Sequence, residues 1–335
     1  MSDRRMKFMI AGLGSIGRRH LRHLKALGQD NLLLYRTHRS TLPDDELAGI
    51  PVETDLQAAL AHKPDAVIVS NPTALHLDVA IPAAEAGCHI LLEKPVSHSL
   101  EGLDKLKRAA QKSGVRILVG FQFRYHPGLR RIAELLQTEL VGRPVSFRAH
   151  WGEYLPAWHP WEDYRASYSA RRDLGGGVIL TLTHPLDYLH WLLGAVQEVW
   201  SFAGQYTDLE LDVVDTAEIG LRFGSGVVGS VHLNYTQRPP RHQLEIVCTE
   251  GTLRWDNAGT ALEVYRAETT FWEQHPLPVG FQRDDLFSAQ MKHFLQVVEG
   301  TAAPFCTLDD GIAALELALA AHQSAEEKRL VLLGK

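Results

Sequence analysis

Residues 7–20 read KFMIAGLGSIGRRH. The apolar run Phe8 to Ala11 passes straight into Gly12-Leu13-Gly14-Ser15-Ile16-Gly17, and an amphipathic segment follows from Ile16 to Leu27. Strand, glycine turn and helix in that order are the dinucleotide fingerprint in its required setting. The first glycine permits the tight turn, the second lets backbone approach a pyrophosphate, and the third lets helix pack on strand. The helix N-terminus then offers free N–H groups and a positive dipole end to phosphate. The plain alternative is a strand-to-helix turn without a ligand. The combination of strand, helix and position assigns Gly12, Leu13, Gly14, Ser15, Ile16 and Gly17 to a nucleotide cofactor.

Outward from this turn, short apolar runs alternate with helical patterns, as βαβ units do. NLLLYR (31–36), DAVIVS (65–70), HILLE (89–93) and RILVG (116–120) are continuous rather than alternating, which suits parallel strands buried on both faces. After Phe121 the rhythm changes. A helix over Pro127 to Glu139, a strand over Pro144 to Trp151 and a loop rich in Trp, Tyr and Pro lead to a helix expected over Gly177 to Leu193. VWSFAGQY, DTAEIGLRF, GVVGSVHLNYT, HQLEIVCT and ALEVYR then predict an antiparallel sheet built from hairpins. Helices over about Asp284 to Glu299 and Asp309 to Glu327 close the chain. The expected fold class is α/β, with a Rossmann doubly wound parallel sheet over 1–121. An α+β domain with a mostly antiparallel sheet is expected over 122–335.

The length of 335 residues fits two domains at ~150 residues each. Charged residues are 22% and hydrophobic ones 45%, which excludes a disordered, collagen-like or disulfide-stapled chain. A net charge of −6 lacks the basic footprint of a nucleic-acid binder. Cys88, Cys248 and Cys306 are scattered and odd in number, as expected of reduced thiols in a cytoplasmic protein. The start resembles a signal peptide only superficially, because its short apolar run ends in a glycine turn. No stretch approaches the ~18 apolar residues of a membrane helix. The 17 histidines include no His-Glu-x-x-His, and neither His20/His23 nor His184/His190 has acids at ligand spacing, so no metal site is expected.

The second strand ends in Tyr35-Arg36-Thr37-His38-Arg39-Ser40. An acidic residue about 20 positions after the glycine turn accepts from the ribose of NAD, and none stands here. Arg36 and Arg39 could clamp a 2′-phosphate, with Ser40 or Thr37 adding hydrogen bonds, or both arginines could be solvated loop residues. The first reading prefers NADP(H) to NAD(H). Glu93-Lys94-Pro95 ends the fourth apolar run, at the carboxyl edge where ligands sit in such sheets. From there Lys94 could reach both nicotinamide ribose and substrate. Pro95 biases it toward an extended backbone.

These motifs, with Ser70-Asn71-Pro72 and His76, AGCHILLEKP (86–95), GFQFRYHP (120–127) and GGGVILTLTHPLDYLHWLLG (175–194), together resemble the Gfo/Idh/MocA oxidoreductases. The resemblance runs the length of the chain in the right order. It implies a Rossmann domain and a C-terminal domain whose large sheet mediates homodimers or homotetramers. It also implies that Lys94 is the lysine of the family's Glu-Lys-Pro motif, and that Glu93, Ser70, Asn71, Pro72 and His76 border the cofactor.

Thr181, His184, Asp187 and Tyr188 fall at spacings of three and four on an otherwise apolar helical pattern. Polar groups aimed inward there must bond each other or a ligand. By resemblance His184 is the acid–base histidine of a His-x-x-Asp motif, and an imidazole titrates in the right range for that role. Members often carry an aspartate four residues earlier, and this chain has Thr181, three earlier. Either Asp187 or another carboxylate supports His184, or the proton step is different. Arg124 and Arg171 are candidates for holding a polar substrate, together with Thr181, Asp187, His184 and Lys94. Trp151, Trp158, Trp161 and Tyr164 either line a sugar pocket or pack on the sheet. The resulting expectation is an NAD(P)-dependent oxidoreductase acting on the carbinol or carbonyl carbon of a sugar, polyol or derivative. A cofactor-binding sensor without turnover is the rival reading.

Overall fold

The computed structural model describes residues 5–37 and 42–334. They form two compact units, one of the described residues up to Gln122 with Gln282–Ile312, the other of Phe123–Phe281 with those from Ala313 on.

The first unit is built on strands β1 (Phe8–Ala11), β2 (Leu32–Tyr35), β3 (Val52–Glu53), β4 (Ala66–Val69), β5 (His89–Leu92) and β6 (Ile117–Val119). All pairings are parallel, in the order β3-β2-β1-β4-β5-β6. Every residue of β1 and β4 is buried, which is why these strands are continuously apolar. Helices α1 (Ser15–Ala26), α2 (Leu56–Ala61), α3 (His76–Glu85) and α4 (Leu103–Ser113) connect them. The chain runs outward from β1 to β3, then returns to place β4 on the other side of β1. That reversal opens the crevice at the carboxyl ends where doubly wound sheets bind ligands. The edge strand β3 carries no sequence signal, because two residues with a half-exposed Val52 have no period to read.

The second unit begins with α5 (Pro127–Gln137), started by Pro127 and capped by the His126 ring, which accepts from Gly128 N–H. Strand β7 (Pro144–Tyr154) follows, then two short helices, α6 (Val178–Thr181) and α7 (His184–Leu193). Here the expected single helix over 177–193 is corrected. Pro185 has no N–H to donate and starts a new helix, so the chain breaks at Leu182-Thr183. Strands β8 (Val196–Gly204), β9 (Thr216–Phe223), β10 (Val228–Asn234), β11 (Thr236–Cys248), β12 (Gly251–Asp256), β13 (Ala261–Arg266) and β14 (Trp272–Pro276) complete most of the sheet. After α8 (Arg283–Glu299) and α9 (Leu308–Glu327), β15 (Val331–Leu332) adds its edge. The nine strands are ordered β14-β13-β12-β11-β7-β10-β9-β8-β15, and within this sheet β7 with β10 is the one parallel pairing among the described residues.

One face of this sheet is buried. On β7, Phe147, Ala149 and Trp151 alternate with more exposed neighbours, and β9 does the same with Ala217, Ile219, Leu221 and Phe223. α7 packs on β7, and α6 on β9 and β10. The other face leaves Phe202, Val228 and Val247 exposed. Helix α8 belongs to the first unit, where Phe287 lies under the Arg19 guanidinium of α1 at 4.5 Å.

Candidate functional site

In the first unit the glycine turn has the shape its sequence requires. Gly12 has φ +92°, and a Cβ there would lie 2.5 Å from Asn71 N. A Cβ on Gly17 would lie 1.9 Å from the Gly12 carbonyl oxygen, so helix and turn touch backbone to backbone. Gly14 differs, since nothing stands within 4 Å of its added Cβ. It caps α1 without a side-chain bond, and the first turn of α1 has no acidic residue. The open side of Gly14 and the unclaimed N–H groups behind it fit a pyrophosphate. Ser70 closes the floor, its hydroxyl 2.9 Å from the Gly12 carbonyl and 3.0 Å from that of Ala11.

At the end of β2, Arg36 is buried, and its Nη1 is 2.9 Å from Asp44 Oδ1. The register pairs Ala11 with Tyr35, so Arg36 follows β2 beside the glycine turn. Asp44 also meets the Arg18 guanidinium at 3.4 Å, while Arg18 donates to the carbonyls of Leu13, Leu42 and Pro43. The two arginines hold the Asp44 carboxyl below the usual range, chiefly through the hydrogen bond from Arg36. Arg39 and Ser40 lie outside the described residues.

The Glu93-Lys94-Pro95 turn follows β5 at the same carboxyl edge. Glu93 accepts from the Lys94 backbone N–H at 3.2 Å and lies 2.7 Å from His20 Nε2. His76 is buried, with Nδ1 2.9 Å from the Pro95 carbonyl oxygen and Nε2 3.0 Å from that of Asn71. Burial pushes its pKa down to about 4. The neutral ring has one N–H for these two carbonyls, and it packs between the Ser70-Asn71-Pro72 loop and the lysine turn. Burial likewise pushes the Cys88 and Cys248 thiols up to about 11, leaving them poor nucleophiles.

In the second unit His184 opens α7 and is buried. The Phe123 ring meets it edge-on at 4.9 Å, and the Trp151 ring is tilted against it at 5.3 Å. Trp151 stacks on His242 at 4.3 Å and 3°, a contact fixed by the β7–β11 register that pairs these two residues. One helical turn on from His184, Asp187 accepts from Arg124 Nη2 at 2.8 Å and Nε at 3.1 and 3.2 Å. Both partners are buried. Thr181 is buried on the separate helix α6.

The other sequence candidates scatter. Arg171 pairs with Asp173 at the surface. Trp158 lies edge-on to Tyr235 at 5.8 Å, Trp161 is exposed, and Tyr164 donates to the Leu209 carbonyl, so the aromatic residues form no single cluster. Sequence reading missed Asp44, Phe123 and His242 and gave His20 no part. His242 was within reach only through the register of β7 and β11. Asp44 sits in a turn whose pattern carries no signal for its two arginines.

A family model described as "Oxidoreductase family, NAD-binding Rossmann fold" matches residues 6–121, and "GFO/IDH/MocA C-terminal domain" matches 129–254. The chain is 29% identical to myo-inositol 2-dehydrogenase of Thermotoga maritima, covering 98% of both proteins. It is 27% identical to D-xylose 1-dehydrogenase (NADP(+)) 2 of Haloferax volcanii over 86% of each. Among solved structures, the WlbA dehydrogenase of Bordetella pertussis in complex with NADH and UDP-GlcNAcA superposes with a TM-score of 0.83 at 22% identity. That match covers 100% of this chain and 99% of the other, and it bears on fold alone.

Proposed function

The chain belongs to the Gfo/Idh/MocA oxidoreductases, and on that premise we propose that it moves hydride between a nicotinamide cofactor and the carbinol or carbonyl carbon of a polyol, sugar or sugar derivative. The observation that carries this reading is the carboxyl edge of the parallel sheet in the first unit. There the open Gly14 cradle, the Ser70-Asn71 loop and Lys94 follow neighbouring strands β1, β4 and β5. The names of relatives acting on inositol and xylose support the substrate class.

The bound nicotinamide supplies the hydride acceptor or donor. Gly12 to Gly17, Ser70, Asn71 and Pro72 hold the cofactor, and His76 and Glu93 fix the turn that carries Lys94. Arg36, with Arg39, favours NADP(H) through its guanidinium, against competition from Asp44. In oxidation His184 takes the hydroxyl proton while Lys94 hydrogen-bonds the same oxygen and stabilises its developing negative charge. In reduction His184 returns the proton. Arg124, Asp187 and Thr181 belong to the substrate side. Because Arg124 and Asp187 bond each other, their part is to fix α7 and so the direction of His184. We further place the protein in the cytoplasm as a homodimer or homotetramer joined through the exposed face of the large sheet. No helix among the described residues is long and apolar enough to cross a membrane.

The test is absorbance at the reduced-nicotinamide band with a panel of inositols, sugars and sugar acids. Multiple turnovers are expected, and Lys94→Ala and His184→Ala should abolish them while cofactor still binds. Tight cofactor binding with no redox change on any substrate would replace the enzyme with a ligand sensor.

A further inference from the structure

Resting on the role given to Lys94 above, we infer that His20 is a positioning residue for that lysine, acting through the buried carboxylate of Glu93. Helix α1 contains a misfit. Its buried residues are Gly17, Arg18, Leu21 and Leu24, with His23 nearer the end, and His20 in its centre is completely buried. A buried imidazole is costly unless bonded. Its Nε2 lies 2.7 Å from Glu93 Oε1, and among the described residues its Nδ1 has no hydrogen-bond partner. That arrangement fixes the tautomer: the proton sits on Nε2 and is donated to the carboxylate, and Nδ1 is a bare acceptor.

Glu93 uses its second oxygen, Oε2, to accept the backbone N–H of Lys94 at 3.2 Å. One carboxylate therefore links α1 to the residue carrying the ammonium. Room for it comes from Gly120, where a Cβ would lie 3.0 Å from Glu93 Oε2. Burial alone would raise the Glu93 pKa, but the His20 hydrogen bond and the charge of Lys94 leave it below its ordinary value. On the far side of the turn His76 holds the Pro95 carbonyl, so Lys94 is bracketed by a histidine from α1 and another from α3. The charged groups that reach Glu93 are Lys94 and Arg19. A pair that only joined helix to sheet would serve as well if apolar, since buried ion pairs replaced by well-packed apolar residues often leave stability unchanged. A carboxylate kept anionic next to Lys94 does what no apolar pair can: it holds the Lys94 backbone N–H by a charge-assisted hydrogen bond.

The experiment follows Lys94 itself and needs no substrate. In the full-length protein with bound NADP, lysine labelled with nitrogen-15 is followed by NMR, and the Lys94 backbone amide signal is assigned with Lys94→Arg. Glu93→Gln, which keeps size but removes the charge, should move that amide proton upfield, because it loses a charge-assisted hydrogen bond. His20→Leu should move it in the same direction, because the contact that aims the carboxylate is gone. His20→Gln, which can present an amide N–H to Glu93, should restore it. An unchanged amide signal in Glu93→Gln overturns the inference even if His20→Leu fails to fold. A pair that only joined helix to sheet would alter stability in all variants and leave the amide signal in place. Turnover of Lys94→Ala on myo-inositol and the other polyols is measured in parallel. Retained turnover there would remove Lys94 from the mechanism without touching the amide result, so the two failures are distinguishable.

Discussion

Arg124→Met is the perturbation whose outcome the second unit specifies most closely. The guanidinium is 2% exposed and Asp187 is 1% exposed, and three donor–acceptor distances of 2.8 to 3.2 Å join them. Methionine fills much of the volume but leaves Asp187 as a buried carboxylate without its cation. Breaking such a pair on one side costs about 3–5 kcal/mol. With an m-value of ~2 kcal/mol/M, that is a fall of roughly 1.5–2.5 M in the urea midpoint. The assay can be confined to the unit concerned, because all seven tryptophans, from Trp151 to Trp272, fall within Phe123–Phe281. Tryptophan fluorescence therefore reports unfolding of the second unit. Arg124→Met/Asp187→Leu removes both charges and should recover most of the loss. A single-variant shift below ~0.5 M, or a double variant as unstable as the single, would refute the buried-charge argument. Since α7 carries both Asp187 and His184, the single variant should also lose turnover, and the double should regain stability without regaining full rate.

Burial pushes the His126 pKa from its ordinary 6.5 down to about 4. The unfolded imidazole takes a proton below 6.5 while the native one does not. Its contribution is therefore complete above about pH 6.5 and declines by up to ~3 kcal/mol toward pH 4. His126→Asn keeps an N-cap for α5 and should flatten the tryptophan-detected stability over that interval; an equally steep profile would count against this assignment. Gly14→Ala meets no protein atom, so it should fold normally yet bind cofactor at least tenfold more weakly by fluorescence titration, as the methyl stands where phosphate approaches. Asp44→Ala frees Arg36 and should improve NADPH affinity relative to NADH by roughly tenfold; a change toward NADH would undo the role given to Arg36. Cys88 and Cys248, with thiols pushed up to about 11, should resist a disulfide reagent at neutral pH and react once urea exposes them.

Much of the first unit was legible because its signals are local. A parallel strand buried on both faces must be apolar throughout, and a turn that touches phosphate and helix must be glycine. Phe8 to Ala11 and Gly12 to Gly17 meet those demands within ten residues. Across the break between α6 and α7 an apolar period of three and four continues, so Pro185 is its one local mark. Strands β12 (GTLRWD) and β14 (WEQHP) carry no apolar run, and β15 has two residues, so pairing with neighbours decides all three. The polar site residues divide on the same principle.

What the sequence determined by itself was the class of fold, the cofactor turn and the identity of the residues available for chemistry, all set by chain-local sterics and periodicity. Tertiary structure alone decided their partners. His20 meets Glu93 across 73 residues, Arg124 meets Asp187 across 63, and Trp151 stacks on His242 because two strands share a register. Hydrogen bonds and ion pairs depend on ångström distances between side chains. Such distances between positions remote in sequence exist only once the chain has folded.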